Sequence, residues 1–383
     1  MATTVRIEAA DGGVLRGMQD FLGRLLASGK VGGVVVPVHL FGKGMPMPTL
    51  VTDPEGLGRA DPLAPAFPLN GAKLVSRLTR GRSGEKIAAV MRPCEIRAFV
   101  ELVKLNQGSM DDVYIIGVDC HGAFSNTDYP RFVGEADPMA ATATFLDARA
   151  KGAPGEGVDI ARACAVCEHP VPLGADLVVA VFGADIRDHV PLMAASPRGE
   201  ALLTGLGLAE GSENPQRAGF IEKLVAERMA NLERMYAETL ESTSSLEGLA
   251  QHLSACVNCY NCRVACPVCY CKECVFNTDV FEHQPWQYMG WAKRKGSLKL
   301  PTDTVFYHLT RMAHMSTACV GCGQCSNACP NGVHVMELFR TVAARTQASF
   351  DYVPGRSLDE APPLSVFKED EFQETVSHLA HGG

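Results

Sequence analysis

The chain has 383 residues and a formal net charge of −8, so neither a nucleic acid nor an anionic membrane is an expected partner. Its hydrophobic fraction of 46% is ordinary for a globular protein, and its length favours two domains over one. No apolar run is long enough to span a bilayer, and no secretory signal is recognisable. Fifteen cysteines without such a signal argue against a disulfide scaffold and predict metal ligation in a reducing cytoplasm.

The first half of the chain alternates strand-like with helix-like segments. Apolar residues at helical spacing predict helices near 15–25 and 96–103, and β-branched runs predict strands at 31–40, 87–91, 113–118 and 177–182. This alternation predicts an α/β domain with a mixed or parallel sheet. Glycines and prolines between about 42 and 72 predict a long loop.

The second half is predicted to be mainly helical. The composition turns to Gly, Glu and Asn between Gly205 and Pro215, and a long polar helix follows as a solvated connector. Further helices, near 245–255 and 305–313, each lead into a cysteine run. The predicted division is an α/β domain at 1–205, a helical linker at 206–250, a mainly α domain at 251–345 and an extended tail at 346–383. A flexible end is the preferred interpretation of that tail, and a strap onto a partner is the alternative.

Two cysteine runs share the pattern Cys-x2-Cys-x2-Cys-x3-Cys-Pro, which is that of bacterial [4Fe–4S] ferredoxin sites. Their cysteines are Cys256, Cys259, Cys262 and Cys266, and then Cys319, Cys322, Cys325 and Cys329. In two-cluster ferredoxins the fourth cysteine of a run ligates the other cluster, so we expect Cys329 to join the first three and Cys266 to join the second three. Structural zinc is the alternative. Clusters of this kind are often oxygen-sensitive, so an anaerobic host is expected.

Four more cysteines lie at or near strand ends in the α/β half: Cys94, Cys120, Cys164 and Cys167. The carboxyl ends of parallel strands share one edge, so the first two can converge there and the Cys-x-x-Cys pair can complete a third ligand set. Alternatively, the first two are small buried residues and the pair is a redox or zinc pair. Cys269, Cys271 and Cys274 are alternative ligands, part of a further cluster, or buried thiols, and their spacing selects none of these.

Other polar and aromatic residues give weaker signals. Trp286, Tyr288 and Trp291, in the insertion between the two runs, are predicted to pack within the protein, with an interface as the alternative. No paired carboxylates, serine elbow or zinc-protease helix is present in the sequence, and no catalytic residue is predicted.

Several of these segments resemble the beta subunits of coenzyme F420-reducing hydrogenases and the related formate dehydrogenase beta subunits. The strand-Pro-Cys element at Val90–Ala98 carries the resemblance, together with Ile115–Cys120, Cys164–Val179, Cys266–Cys274 and His314–Cys325. The resemblance covers most of residues 70–345. It implies a flavoprotein domain that holds FAD and one [4Fe–4S] cluster on the four cysteines of the α/β half. A two-cluster ferredoxin module, which the hydrogenase subunit lacks, is fused to it.

No motif places the flavin contacts, because the sequence has neither a Gly-x-Gly-x-x-Gly fingerprint nor a Walker A pattern. The candidates lie near the strand-Pro-Cys element and are Asn70, Lys73, Arg80, Arg82 and Arg92. A solvated surface position is the alternative for each cation, and a simple turn is the alternative for the asparagine.

Together these patterns predict an iron–sulfur flavoprotein subunit of a cytoplasmic multi-subunit oxidoreductase. FAD would convert a two-electron hydride carrier into single electrons. The expected hydride donor or acceptor is NAD(P)H, the deazaflavin, or a formate dehydrogenase or hydrogenase partner, and a heterodisulfide-reductase-type complex is the expected redox partner. The alternatives are a flavin-free multi-cluster relay and a zinc-bound structural scaffold.

Overall fold

The computed structural model describes residues 3–9, 13–42, 44–81, 84–150 and 158–366. A mixed sheet occupies the first half of the chain. Its strands are β1 (Thr4–Glu8), β2 (Gly33–Val38), β3 (Met47–Val51), β4 (Ile87–Met91), β5 (Val113–Val118), β6 (Leu177–Val179), β7 (His189–Ala194) and β8 (Ala209–Glu210), in the order β3-β2-β4-β5-β6-β7-β1-β8. Strands β2, β4, β5 and β6 are parallel and the outer strands are antiparallel. The predicted α/β class is confirmed.

Helices cover the sheet and build the second half. They are α1 (Gly13–Ala27), α2 (Ala72–Thr79), α3 (Pro93–Lys104), α4 (Tyr129–Val133), α5 (Pro138–Ala150), α6 (Arg162–Ala165), α7 (Pro197–Leu203), α8 (Arg217–Ser242), α9 (Leu246–His252), α10 (Asn261–Ala265), α11 (Pro285–Lys295), α12 (Thr304–Met315), α13 (Gln324–Asn327) and α14 (Val335–Ser349). Short 3-10 helices cover Pro54–Arg59, Val275–Asn277 and Asp279–Phe281. The carboxy-terminal half is mainly α, as predicted.

The core continues from the sheet into the helical half. On one sheet face, Phe21 and Leu25 of α1 are buried. On the other face, Phe99 of α3 belongs to the same apolar cluster as Met312 of α12 and Phe339 of α14. Burial of apolar surface is the main favourable term in folding, so this shared cluster fixes the helical half against the sheet.

Several segments depart from the sequence-based prediction. Strands β1 and β7 lie where no strand is predicted. The region 42–72 is not only a loop, because it contains β3 and the 3-10 helix Pro54–Arg59, whose Leu57 is buried. The short strand β8 pairs with β1, so the sheet extends past residue 205. Strands β3 and β8 have five and two residues, with one buried position in β3 and none in β8, so neither gives a strong periodic signal.

The long helix α8 is not simply a solvated connector. Arg217 at its start forms a buried ion pair with Asp119, with Nη2 2.6 Å from Oδ1. Arg228 donates from Nη2 to the backbone oxygen of His121, and Leu232 and Met235 are also buried. One face of α8 therefore packs against the loop that follows β5.

The chain after α14 folds back onto α3. The hydroxyl of Tyr352 donates to Glu101 Oε1 at 2.6 Å, and the Gly355 N–H donates to the same oxygen at 2.8 Å. Glu101 is fully buried and Tyr352 is 4% exposed. The preferred expectation of a flexible end therefore fails for this stretch, because a buried carboxylate requires these donors. Residues 367–383 lie outside the described part of the chain.

Candidate metal centres

Four cysteines line one small cavity at the outer end of the helical half. We call Cys256, Cys259, Cys262 and Cys329 the distal site; their cavity has a volume of about 20 Å³. Three of them come from the first run and the fourth ends the second run, which is the crossed arrangement expected of a two-cluster ferredoxin. Cys259 is exposed and Cys262 is buried, so one side of this site faces solvent.

A second cavity, of about 30 Å³, is lined by the complementary set. We call Cys266, Cys319, Cys322 and Cys325 the central site. Met315, Met336 and Phe339 complete an apolar wall around it. Burial raises the pKa of the Cys319, Cys322 and Cys325 thiols, and the neighbouring Cys266 raises each further. Clustered sulfur atoms in an apolar cavity suit a group that supplies positive charge, as iron does.

The two cysteine runs share one backbone conformation. Asn258 and Tyr260 have φ values of 52° and 62°, and Gly321 and Gly323, at the same offsets in the second run, have 69° and 75°. This left-handed conformation turns backbone N–H groups towards sulfur. The Asn258 N–H lies 3.5 Å from Cys256 Sγ, and a backbone hydrogen bond from Gly321 lowers the pKa of Cys319 against the effect of burial.

Neighbouring side chains also restrict Gly321 and Gly323 of the second run to glycine. A Cβ at Gly323 would clash with the Cβ of Ala163, on the helix that carries Cys164. A Cβ at Gly321 would lie 3.1 Å from the guanidinium carbon of Arg340. The first run lies farther from the sheet and accommodates asparagine and tyrosine, although both are strained there.

The four remaining candidate ligands meet at the carboxyl edge of the sheet. We call Cys94, Cys120, Cys164 and Cys167 the sheet-edge site. Strands β4 and β5 are adjacent and parallel, with Met91 level with Gly117, so the residues that follow them leave at one edge. Burial raises the pKa of Cys94 most, and Cys120 and Cys167 raise it further through their charge. Cys120 and Cys167 likewise raise the pKa of Cys164.

The sheet-edge and central sites are immediate neighbours. After burial, the largest influence on the pKa of Cys94 is Cys322 of the central site. Asn70 lies beside Cys322 and lowers the pKa of that thiol. Its Oδ1 accepts from the Ala72 N–H at 3.0 Å, and its buried Nδ2 has no hydrogen-bond partner in the described part of the protein. The three sites thus follow one another as sheet-edge, central and distal.

Buried arginines lie between the sites, at positions that no sequence motif marks. Arg311 donates from Nη1 to Cys262 Sγ at 3.0 Å and from Nη2 to Cys262 O at 3.1 Å. The charges of Cys262, Cys266 and Cys325 all raise its pKa, which places it between the distal and central sites. Arg97 and Arg340 occupy the corresponding position between the central and sheet-edge sites, where both interact with Cys167. Helical spacing shows that such residues face inward but not that they face sulfur.

Within the described ranges, no group of three or more His, Cys, Asp or Glu side chains is arranged to hold a single metal ion. A cube binds each cysteine through a different iron, so its ligands lie farther apart than those of one ion. Four cysteine donors at each site, the inward N–H groups and the apolar wall of the central site suit a cube of this kind.

The predicted flavin contacts have other partners in the structure. Arg92 Nη2 donates to the backbone oxygens of Ala64 and Ala66, both at 2.6 Å. Lys73 Nζ donates to Val264 O at 3.0 Å, and Arg80 Nη2 donates to Gln107 Oε1 at 2.9 Å. Asn70 contacts the central site, and Arg82 lies outside the described residues. Their role towards a flavin stays a prediction.

The three additional cysteines are separated. Cys269 lies beside Cys266 and Lys73, Cys271 is exposed, and Cys274 packs with Phe276 and Tyr307. Cys271 is therefore not a buried thiol, which was one of the interpretations of these cysteines.

Comparison with known proteins adds three similarities. Residues 252–333 match the family described as "4Fe-4S dicluster domain". The chain is 26% identical to F420-dependent formate dehydrogenase subunit beta of Methanocaldococcus jannaschii, over 94% of this chain and 98% of that protein. It is also 26% identical to F420-dependent formate dehydrogenase 1 subunit beta of Methanococcus maripaludis, over 73% of this chain and 75% of the other.

Among solved structures, the F420-reducing [NiFe] hydrogenase complex of Methanosarcina barkeri matches with a TM-score of 0.42 and 15% identity, over 64% of this chain and 94% of that one. No helix in the described ranges is both long and apolar enough to cross a bilayer. The resemblance indicated by the cysteine motifs is confirmed: the chain is similar along most of its length to the beta subunits of F420-dependent formate dehydrogenases, and it carries a carboxy-terminal 4Fe-4S dicluster domain.

Proposed function

We propose that this chain is the iron–sulfur flavoprotein subunit of an oxidoreductase complex and that its three cysteine sites form one electron path. The observation that carries the proposal is the contiguous order of the sites, with Cys94 beside Cys322 and Arg311 between Cys262 and Cys266. A [4Fe–4S] cube supplies one-electron transfer, and FAD supplies the exchange between a hydride and single electrons.

In this proposal each site holds one cube. The distal and central sets are those that line the two cavities, and the sheet-edge set consists of the four cysteines at the ends of β4 and β5 and around α6. The chain's own residues orient the sulfurs through the left-handed turns and exclude water with Met315, Met336 and Phe339. The division into an α/β domain, a linker helix, a dicluster domain and a tail is kept as part of the proposal.

The relatives suggest the reaction to which the path belongs. Both are named as beta subunits of F420-dependent formate dehydrogenases. We propose that FAD exchanges electrons with one of these partners: a catalytic formate dehydrogenase or hydrogenase subunit, the deazaflavin, or NAD(P)H. A heterodisulfide-reductase-type complex is the proposed partner at the other end. The proposed location is the cytoplasm, where cysteine thiolates remain available for metal.

A flavin-free relay is the second candidate. It is favoured by one observation: the described flavin candidates Lys73, Arg80 and Arg92 already donate hydrogen bonds to protein oxygens.

Anaerobic purification followed by metal and flavin analysis tests these alternatives. We expect about 12 iron atoms and one FAD per chain. Iron without flavin would support the relay, and a colourless protein with two or three zinc atoms would overturn both in favour of a structural scaffold.

Three cysteine variants localise the cofactors. Cys120→Ser and Cys322→Ser are each expected to remove about four iron atoms, whereas the exposed Cys271→Ser is the matched control and should remove none. Cys322→Ser should interrupt electron exit and leave flavin reduction intact. Loss of flavin reduction in that variant would contradict the proposed order of carriers.

A further inference from the structure

A groove lies beside the distal site, in the insertion between the two cysteine runs. It has a volume of about 730 Å³ and lies between α11 and the start of α12. Aromatic residues line it together with cations, among them Phe281, Trp291, Phe306, Arg294, Lys295 and Lys299. We call it the basic groove.

The charge of the basic groove is opposite in sign to that of the chain. Helix α11, PWQYMGWAKRK, has no acidic residue and ends in Lys293, Arg294 and Lys295, whereas the whole chain has a net charge of −8. Asp303 is the carboxylate that lines the groove, and it accepts a hydrogen bond from Asn258 Nδ2 at 3.0 Å. The groove therefore presents a local excess of cations that suits an acidic partner.

Large apolar side chains are exposed on α11 and in the segment that leads to and begins α12. Trp286 is 73% exposed, and Met289, Leu300 and Phe306 are each more than half exposed. The prediction that the aromatic residues of the insertion pack internally holds for Trp291, whose ring centroid lies 4.9 Å from that of His283, but is wrong for Trp286. An exposed tryptophan and methionine on the helix that also carries Arg294 are typical of a protein interface.

The groove is also joined to the distal site by direct contacts. Lys299 Nζ donates to the backbone oxygen of Cys256 at 3.0 Å, and Asp303 contacts Asn258, which is two residues from that cysteine. A protein seated in the groove therefore lies next to the exposed side of the distal site, where Cys259 is exposed.

We propose that the basic groove is the docking site of an acidic one-electron carrier protein of the ferredoxin class, a second exchange partner of the distal site beside the heterodisulfide-reductase-type complex. This inference rests on the proposed function, because only a redox-active distal site gives such a partner a reason to dock there. The cations steer and orient the acidic partner, and Trp286 is the apolar anchor.

Binding is measured with the holoprotein under anaerobic conditions, and the probe is a purified, acidic two-cluster ferredoxin that lacks tryptophan. Both tryptophans of the chain, Trp286 and Trp291, lie on α11, so their fluorescence reports on this surface alone. We expect the ferredoxin to shield them from iodide quenching with a saturable binding curve. The affinity should fall steeply as salt increases.

Two variants test the contacts separately. The triple variant Lys293→Gln/Arg294→Gln/Lys295→Gln neutralises the cations and should weaken binding of the ferredoxin at least tenfold. The variant Trp286→Ala keeps the charge and should weaken binding by a similar factor; its affinity is measured by calorimetry. The matched control, Arg16→Gln/Arg131→Gln/Lys223→Gln, changes the net charge equally at exposed positions of α1, α4 and α8 and should bind as the parent does within twofold.

The outcomes separate the two proposals. Iron-loaded protein that does not bind the ferredoxin, or that binds it equally well in the triple and Trp286 variants, overturns the docking site and leaves the electron path standing. Protein without iron overturns the proposed function itself.

Discussion

Replacing Arg311 by glutamine removes a buried positive charge from the space between the distal and central sites. In the parent chain its Nη1 lies 3.0 Å from Cys262 Sγ, and both Cys266 and Cys325 act on its pKa. Arg311 is 4% exposed and also stacks on Phe339, with 4.7 Å between the guanidinium carbon and the ring centroid. Water and salt therefore screen this charge weakly.

The magnitude follows from Coulomb's law. Two unit charges about 4 Å apart interact by about 4 kcal/mol at an effective dielectric constant of about 20. The electron gained on reduction is spread over a whole cube, so we take roughly half of that value, about 2 kcal/mol, which corresponds to about 90 mV for a one-electron couple. Removing a positive charge disfavours reduction, so the potential of the distal site should fall by about this amount and that of the central site by less.

A redox titration monitored by electron paramagnetic resonance measures both potentials in the purified holoprotein. Arg311→Lys keeps the charge and should shift the distal potential by less than half as much. Arg345→Gln, at an exposed position of α14, controls for net charge and should have no effect. An unchanged or raised distal potential in an iron-replete Arg311→Gln protein would refute the placement of this arginine between two redox sites.

The remaining predictions concern stability and assembly. Tyr352→Phe removes the donor to buried Glu101 and should lower the free energy of unfolding in urea by about 1–2 kcal/mol, whereas Tyr270→Phe, at an exposed tyrosine, should change it little. Gly323→Ala should lower the free energy of unfolding by more than about 2 kcal/mol, because the added Cβ would clash with Ala163. The control Gly290→Ala lies in open space on α11 and should stabilise the protein slightly. Equal effects of the two variants would contradict the close contact between Gly323 and Ala163. Arg228→Met removes the hydrogen-bond donor to the loop around Cys120. Iron analysis should show a loss of up to about four iron atoms, while the paramagnetic resonance signal of the distal site stays intact. An unchanged iron content would argue that α8 does not position this loop.

The elements that the sequence predicted well are those with strong periodicity. The runs at 87–91 and 113–118 are β4 and β5, and the helices that lead into and out of the cysteine runs are α9, α12 and α14. Strands β1, β3, β7 and β8 were not predicted. Strands β3 and β8 are short and form the two edges of the sheet, where few buried positions mark them.

The candidate sites were predictable to different degrees. Cysteine spacing predicts which cysteines form the distal and central sites, because thiolates separated by two residues lie on one face of a small turn. Spacing could not show that Arg311, Arg97 and Arg340 lie between the sites, since these contacts join residues far apart in the chain. It also could not show that Arg92 contacts the carbonyls of Ala64 and Ala66 instead of solvent.

The exchange of the last cysteine between the two runs has a consequence for how the protein matures. Cys329 lines the distal cavity with Cys256, and Cys266 lines the central cavity with Cys319, Cys322 and Cys325. The central site therefore has all four cysteines only after translation passes residue 325, and the distal site only after it passes residue 329. A nascent chain that stops earlier holds only three of the four distal thiols. Loading of both sites is therefore expected late in synthesis, and truncation before Cys319 should leave both of them unfilled.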